Sequence, residues 1–212
     1  MNNFENKVYY GIEVSFSSNK IKKIETDLLK ESDIIAGAIH HLEDYPVRFS
    51  SKKNLLFDGE NLNQKVVEEI NYVDRSTFFE LYLITITSML KNNNVDIWAH
   101  PFRFLGFLLI FGKDYLDYFY KEYFPDIINL LSETNIAFEL NEGLNNNYIH
   151  KFGHYCLNDF QNTWDKFYSK VVSNLLKRKI PIVFGTDNHN DSSKIGKYFW
   201  VKRILKDSIK LL

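Results

Sequence analysis

Five short runs rich in β-branched and aromatic residues punctuate the chain: KVYYGIEVSF, DIIAGAIHHL, VDIWAHPF, IAFELNEG and PIVFGTDNH. Each is mainly apolar until its end, and none alternates cleanly between apolar and polar residues, as a strand wetted on one face does. Continuous apolar character marks strands covered on both faces, and those belong almost entirely to parallel sheets. Between the runs lie segments with helical character. Lys23–Lys30 is short and amphipathic. Asn63–Leu90 is long, with a break near Asp74-Arg75-Ser76. Asp114–Leu131 contains Pro125, which starts a second helix within it. Phe160–Arg178 carries apolar residues at helical spacing, and Lys194–Leu212 closes the chain. Strand and helix alternate throughout, so the pattern predicts α/β architecture built from parallel βα units. Phe57–Gln64, FDGENLNQ, reads as an excursion loop. No repeat or low-complexity linker divides residues 1–212, and the length suits a single domain.

The strand ends carry the chemistry. Pro181–Phe184 is apolar and then breaks into Gly185-Thr186-Asp187-Asn188-His189. Turn formation alone accounts for such residues at one strand end. Other strands close in the same way, at Glu13, at His40 and at His100 before Pro101. Active sites of parallel sheets assemble at the C-terminal ends of the strands. Imidazole and carboxylate together suit zinc, manganese or iron. Each residue has a plain structural reading: a charged strand end, a core histidine, a turn. Their coincidence at four strand ends points to a shared site.

Bulk composition limits the partners. Basic and acidic residues number 26 and 27, for a net charge of −1, so no basic surplus is present to hold nucleic-acid phosphates. A lone cysteine, Cys156, allows no internal disulfide, and its surroundings lack a nucleophile's strand-to-helix context. The start MNNFENK has no apolar signal region, and the longest apolar stretch, 104–111, is too short to span a bilayer. A cytoplasmic location without a membrane partner is the expectation.

Taken in order, GIEV, GAIHHL, WAHPFR, FELNEG and GTDNHNDSSKIGKYF resemble the PHP (polymerase and histidinol phosphatase) phosphoesterase family, and within it the histidinol-phosphatase-like members. The likeness extends over nearly the whole chain, and GTDNH followed by Ile-Gly is its most specific piece. The resemblance implies a distorted (β/α)7 barrel, TIM-like in type, that binds several divalent metal ions. It implies that Glu13 is a bridging carboxylate and that His40 and His100 complete one metal's ligands. Asp187 then serves a second metal and His189 a third. The implied reaction is phosphomonoester hydrolysis by metal-activated water, with Glu13 and Asp187 as the catalytic carboxylates and a small phosphorylated molecule as substrate.

One departure limits the likeness. The family opens with a His-x-His strand, yet this chain has no histidine before His40. The pattern is short of two strands and about four ligands, so an incomplete barrel of about five strands is expected, with one good metal site. Its open edges call for cover by the N-terminal residues, a second copy or another polypeptide, or mark the chain as a truncated piece. A degenerate module that binds metal, ligand or partner without turnover stands as the alternative. A polymerase-associated, nuclease-like domain is a third reading, and balanced charge and small size count against it.

Other residues divide into weaker groups. Arg103, three residues after His100, offers a planar fork to a substrate phosphate, and Arg48 does so less directly. His41 points to the face opposite His40 if both lie on a strand. His150 and His154, with Gly153 between them, read as packing or solvated histidines. Asn141 and Glu142 either orient a ligand or terminate their strand. The aromatic run FGKDYLDYFYKEYF reads as helix packing rather than a base-stacking platform.

Overall fold

A computed structural model of the chain describes residues 9–16, 30–40, 42, 57–58, 61–62, 75–103, 105, 114–143, 160–186 and 198–212. Within these, the fold is α/β, with a five-stranded parallel sheet and five helices. The strands are β1 (Gly11–Phe16), β2 (Ile34–Ile39), β5 (Ile97–Trp98), β6 (Ala137–Asn141) and β7 (Ile182–Gly185). A separate antiparallel hairpin pairs β3 (Phe57–Asp58) with β4 (Asn61–Leu62), inside the segment expected to be a loop. The helices are α1 (Arg75–Leu90), α2 (Asp114–Glu122), α3 (Phe124–Ser132), α4 (Phe160–Lys177) and α5 (Phe199–Ile209).

Sheet order is β1-β2-β5-β6-β7, so each strand lies beside its neighbour in the sequence. Doubly wound sheets reverse this order at a switch point; no reversal occurs among the described strands. β5 is far shorter than the run VDIWAHPF suggests, because two paired residues suffice to bridge its neighbours. Its backbone bonds run past the strand on both sides: Asp96 N–H donates to Ile35 O, and Ala99 N–H to Gly37 O. The Asp96 carboxylate also accepts from Ile35 N–H at 2.8 Å, so one residue stitches both ladder groups of β2.

Register divides the sheet's side chains between two faces. One face carries Val14, Phe16, Ile35, Gly37, Trp98, Phe138 and Leu140, and it packs on the helices. Phe102 forms the hub of this core, with rings of Trp98, Phe119, Phe124, Phe138 and Phe167 around it. Helical spacing delivers the partners. α1 buries Phe78, Phe79, Tyr82, Ile86 and Met89, while α4 buries Trp164, Phe167, Tyr168, Val171, Val172 and Leu175. The opposite face bears Glu13, Ser15, Ala36, Ala38, Ala99, Ala137, Glu139, Asn141 and Gly185, with Ile34, Ile97 and Val183 among them.

Local signals set the helix boundaries. Pro125 lies in the first turn of α3, where a missing N–H costs nothing, and the break falls at Tyr123. α4 ends with Lys179 at φ 57°; Ile180 N–H reaches Leu175 O, and Lys179 N–H reaches Leu176 O. That pair of bonds is a Schellman motif, closed by the buried Leu175 and Ile180. The expected helix over Lys23–Lys30 is described only at its final residue. Of the expected helices over Asn63–Leu90 and Lys194–Leu212, residues 63–74 and 194–197 lie outside the described residues. No helix among the described residues is long and apolar enough to cross a membrane.

Gly37 provides a test of the packing. A Cβ there would lie 2.9 Å from Met89 Sδ and 3.0 Å from Val95 Cγ1, both on buried side chains. Gly37→Ala is expected to destabilise the chain by roughly 1–3 kcal/mol through overpacking. In a Met89→Ala background the same change should cost little, and chemical denaturation of the four-member cycle measures the difference.

Candidate metal centre

Three strands bring Glu13, His40 and His100 together. Glu13 Oε1 lies 3.3 Å from His40 Nε2, and Glu13 Oε2 lies 3.4 Å from His100 Nε2. The two imidazole centroids are 5.0 Å apart. One donor atom from each residue falls within 4.8 Å of the others, a group able to hold one metal ion. Tetrahedral zinc with bonds of about 2.0–2.1 Å has ligand–ligand edges of about 3.3–3.4 Å; the two imidazole–carboxylate distances match such an edge, each to a different Glu13 oxygen. His100 is 3 % exposed; its Nε2 faces Glu13, while Nδ1, on the other side of the ring, has no hydrogen-bond partner among the described residues.

Each ligand reaches the group by a different route. His40 is the first residue past β2, half-buried, with Nδ1 3.3 Å from Ser15 Oγ. Glu13 is not at a strand end, as its motif suggested. It is the third residue of β1, level with Ala36, and β1 continues to Phe16. Its long side chain reaches along the sheet toward the C-terminal ends, past the small Ala36 and Ala38. His100 follows β5 in a left-handed turn, with φ 31° at His100 and φ 62° at Phe102. Such angles cost an L-residue on the order of 1–2 kcal/mol each. Three contacts offset that cost. His100 N–H donates to Glu139 Oε2 at 2.6 Å, Tyr168 O–H donates to Pro101 O at 2.5 Å, and Phe102 is buried in the aromatic hub.

Electrostatics agree with the geometry. The Glu13 carboxyl titrates below its usual value of 4.5, chiefly because His100 hydrogen-bonds to it. Partial burial works in the opposite direction, while the charges of His100, His40 and Arg103 pull it further down. Arg103 is therefore within electrostatic reach of the group, and its N–H donates to His100 O at 3.3 Å.

Other expected residues separate from the group. Glu142 does not face it as a ligand; its two oxygens accept from Trp200 and Val201 N–H, both at 2.9 Å, and so cap α5. Asn141 Oδ1 closes a local turn by accepting from Gly143 N–H. Asp187, His189, His41, His150, His154, Cys156 and Arg48 lie outside the described residues. Glu139 is the residue that strand ends alone did not reveal. A signal for it was present: it is the acid two positions before Asn141 in an apolar run, on the same face of the sheet.

Comparison with known proteins returned no match: no family model, no curated protein and no solved structure is significantly similar to the chain. The group rests on its own geometry, and that geometry fixes a titration. In metal-free chain, the Glu13 carboxyl should titrate below 4.5 by carbon NMR, and His100→Ala should move it upward. Because the folded value is depressed, Glu13 adds stability above its unfolded pKa, and this is lost as pH falls through the folded value. A midpoint at or above 4.5 in the parent chain contradicts the arrangement.

Proposed function

We propose that the chain is a metal-dependent phosphoesterase of the PHP type, acting on the phosphomonoester of a small molecule. The observation that carries this reading is the convergence of Glu13, His40 and His100 from three neighbouring parallel strands onto one point. Sequential strand order, helices packed on one face, and an opposite face that gathers the sheet's acidic residues support an incomplete (β/α)7 barrel whose interior is that opposite face. Asp187 follows Gly185 of β7 by two residues, and His189 by four, so both come from the same end of the sheet in this reading.

Glu13, His40 and His100 would hold the ion. When bound, a divalent zinc, manganese or iron cation supplies a Lewis acid for the phosphoryl oxygens and makes water acidic enough to attack near neutral pH. The chain's own groups do the rest. Glu13 keeps an anionic carboxylate at the centre across the neutral range, and His100, pinned on both sides of its turn, presents a fixed imidazole. Arg103 receives the phosphate through its planar fork. Asp187 supplies the second carboxylate. Balanced charge supports a small substrate over nucleic acid. β1 and β7 each pair with one strand among those described, which supports a second copy or another polypeptide along the open edges.

A second reading has its own observation. Among the described residues a single group of three ligands is present, enough for one ion rather than a cluster. A metal-binding module without turnover fits that count. Elemental mass spectrometry of chain purified without chelators, followed by assay on p-nitrophenyl phosphate, separates the two. The phosphoesterase reading expects bound metal and chelator-sensitive hydrolysis. Loss of an outer-shell partner alone costs about 10–100-fold, so His100→Ala should lower the rate at least about 100-fold. Metal without hydrolysis selects the module, and no metal removes both.

A further inference from the structure

We propose that Glu139 is the positioning residue of the metal centre, and that Gly185 on the next strand is glycine because the Glu139 carboxylate occupies the space a side chain would take. The inference rests on the metal-site reading for its functional meaning and adds two residues that reading does not use.

Glu139 is the one charged residue of β6, between the buried Phe138 and Leu140. An acid at mid-strand in a sheet is costly unless its oxygens are engaged. Both oxygens have definite places. Oε2 accepts the His100 backbone N–H at 2.6 Å, a bond to a carboxylate acceptor and therefore charge-assisted. Oε1 lies over Gly185, where a Cβ would fall 1.7 Å from that oxygen and 2.6 Å from the carboxyl carbon. No real Cβ tolerates such contacts, and the obstacle is a carboxylate held at its other oxygen. Gly185 has no left-handed backbone angle to explain it. Room for Glu139 does.

The bond matters because of what it holds. His100 adopts φ 31°, short of the left-handed well at about +50° to +70° where non-glycine residues with positive φ gather. Released from Glu139, the backbone relaxes toward ordinary angles and the ring swings away from Glu13 Oε2. Glu139 thus acts through the main chain of a ligand, without touching the ion.

Three single variants and one double variant decide the point. Glu139→Ala removes the acceptor, Glu139→Gln keeps an acceptor oxygen without the charge, and Gly185→Ala displaces the carboxylate. The first readout is the His100 amide proton shift in isotope-labelled, metal-free chain, with the Trp200 indole signal reporting an intact fold. The parent amide should resonate well downfield and return to the ordinary range in Glu139→Ala and Gly185→Ala. The second readout is cobalt(II) affinity, expected to fall about 10–100-fold in those two variants, with Glu139→Gln recovering most of the loss. In the double variant Glu139→Ala/Gly185→Ala the Gly185 change should add nothing, because the clash has no partner. An unchanged His100 amide in Glu139→Ala overturns the proposal, as does parental cobalt affinity in that variant. A parent chain that binds no cobalt sinks the metal reading instead, and the amide shift then decides the anchoring by itself.

Discussion

A strand sends successive side chains to opposite faces, and this chain uses its two faces for different work. The helix-facing side takes every large ring the sheet offers, so that Trp98 and Phe138 meet Phe102 and the aromatics of α2, α3 and α4. The other side carries alanines, a serine, two glutamates and an asparagine, with Ile34, Ile97 and Val183 as its larger apolar members. Burial on one side gives rigidity; small residues on the other leave room for long side chains to reach along the surface. Glu13 depends on both, since a mid-strand carboxylate approaches two imidazoles only if nothing bulky intervenes.

The same division explains what the sequence made legible. Parallel βα architecture follows from five apolar runs separated by helical ones, and the helix break at Pro125 follows from proline chemistry. His40 and His100 are visible because they stand where apolar runs stop. Glu13 is visible as a residue type, but its position within β1 is hidden: strand length depends on pairing with β2, which no local pattern encodes. Glu139 is hidden for a related reason. Its role comes from contact with a backbone group 39 residues away, and only strand parity links it to the site. Glu142, one position past the end of β6, proves to be a helix cap, which the sequence hides because the partner helix begins 57 residues later.

Anchoring is concentrated on β6. Glu139 holds the His100 turn, Asn141 shapes the turn that follows the strand, and Glu142 receives the first N–H groups of α5. α5 is tied a second time through Asp165 of α4, which accepts from Trp200 Nε1 at 2.7 Å and pairs with Arg203 at 2.8 Å. Both flanks of the GTDNHND segment are thereby fixed at one end of the sheet: Gly185 beside Glu139, and Trp200 on Glu142. The face bearing Glu13, His40 and His100 and the C-terminal helix share one strand as their common support.

The left-handed turn at His100 has a further consequence, for selection. A residue that pays conformational energy for its position is a residue that heat resistance alone would replace. Glycine and asparagine accept φ near 31° more readily than histidine does. A library screened only for thermal survival, with no ion supplied, should therefore drift toward glycine or asparagine at position 100. Natural retention of histidine there would mark the place where durability was surrendered for chemistry.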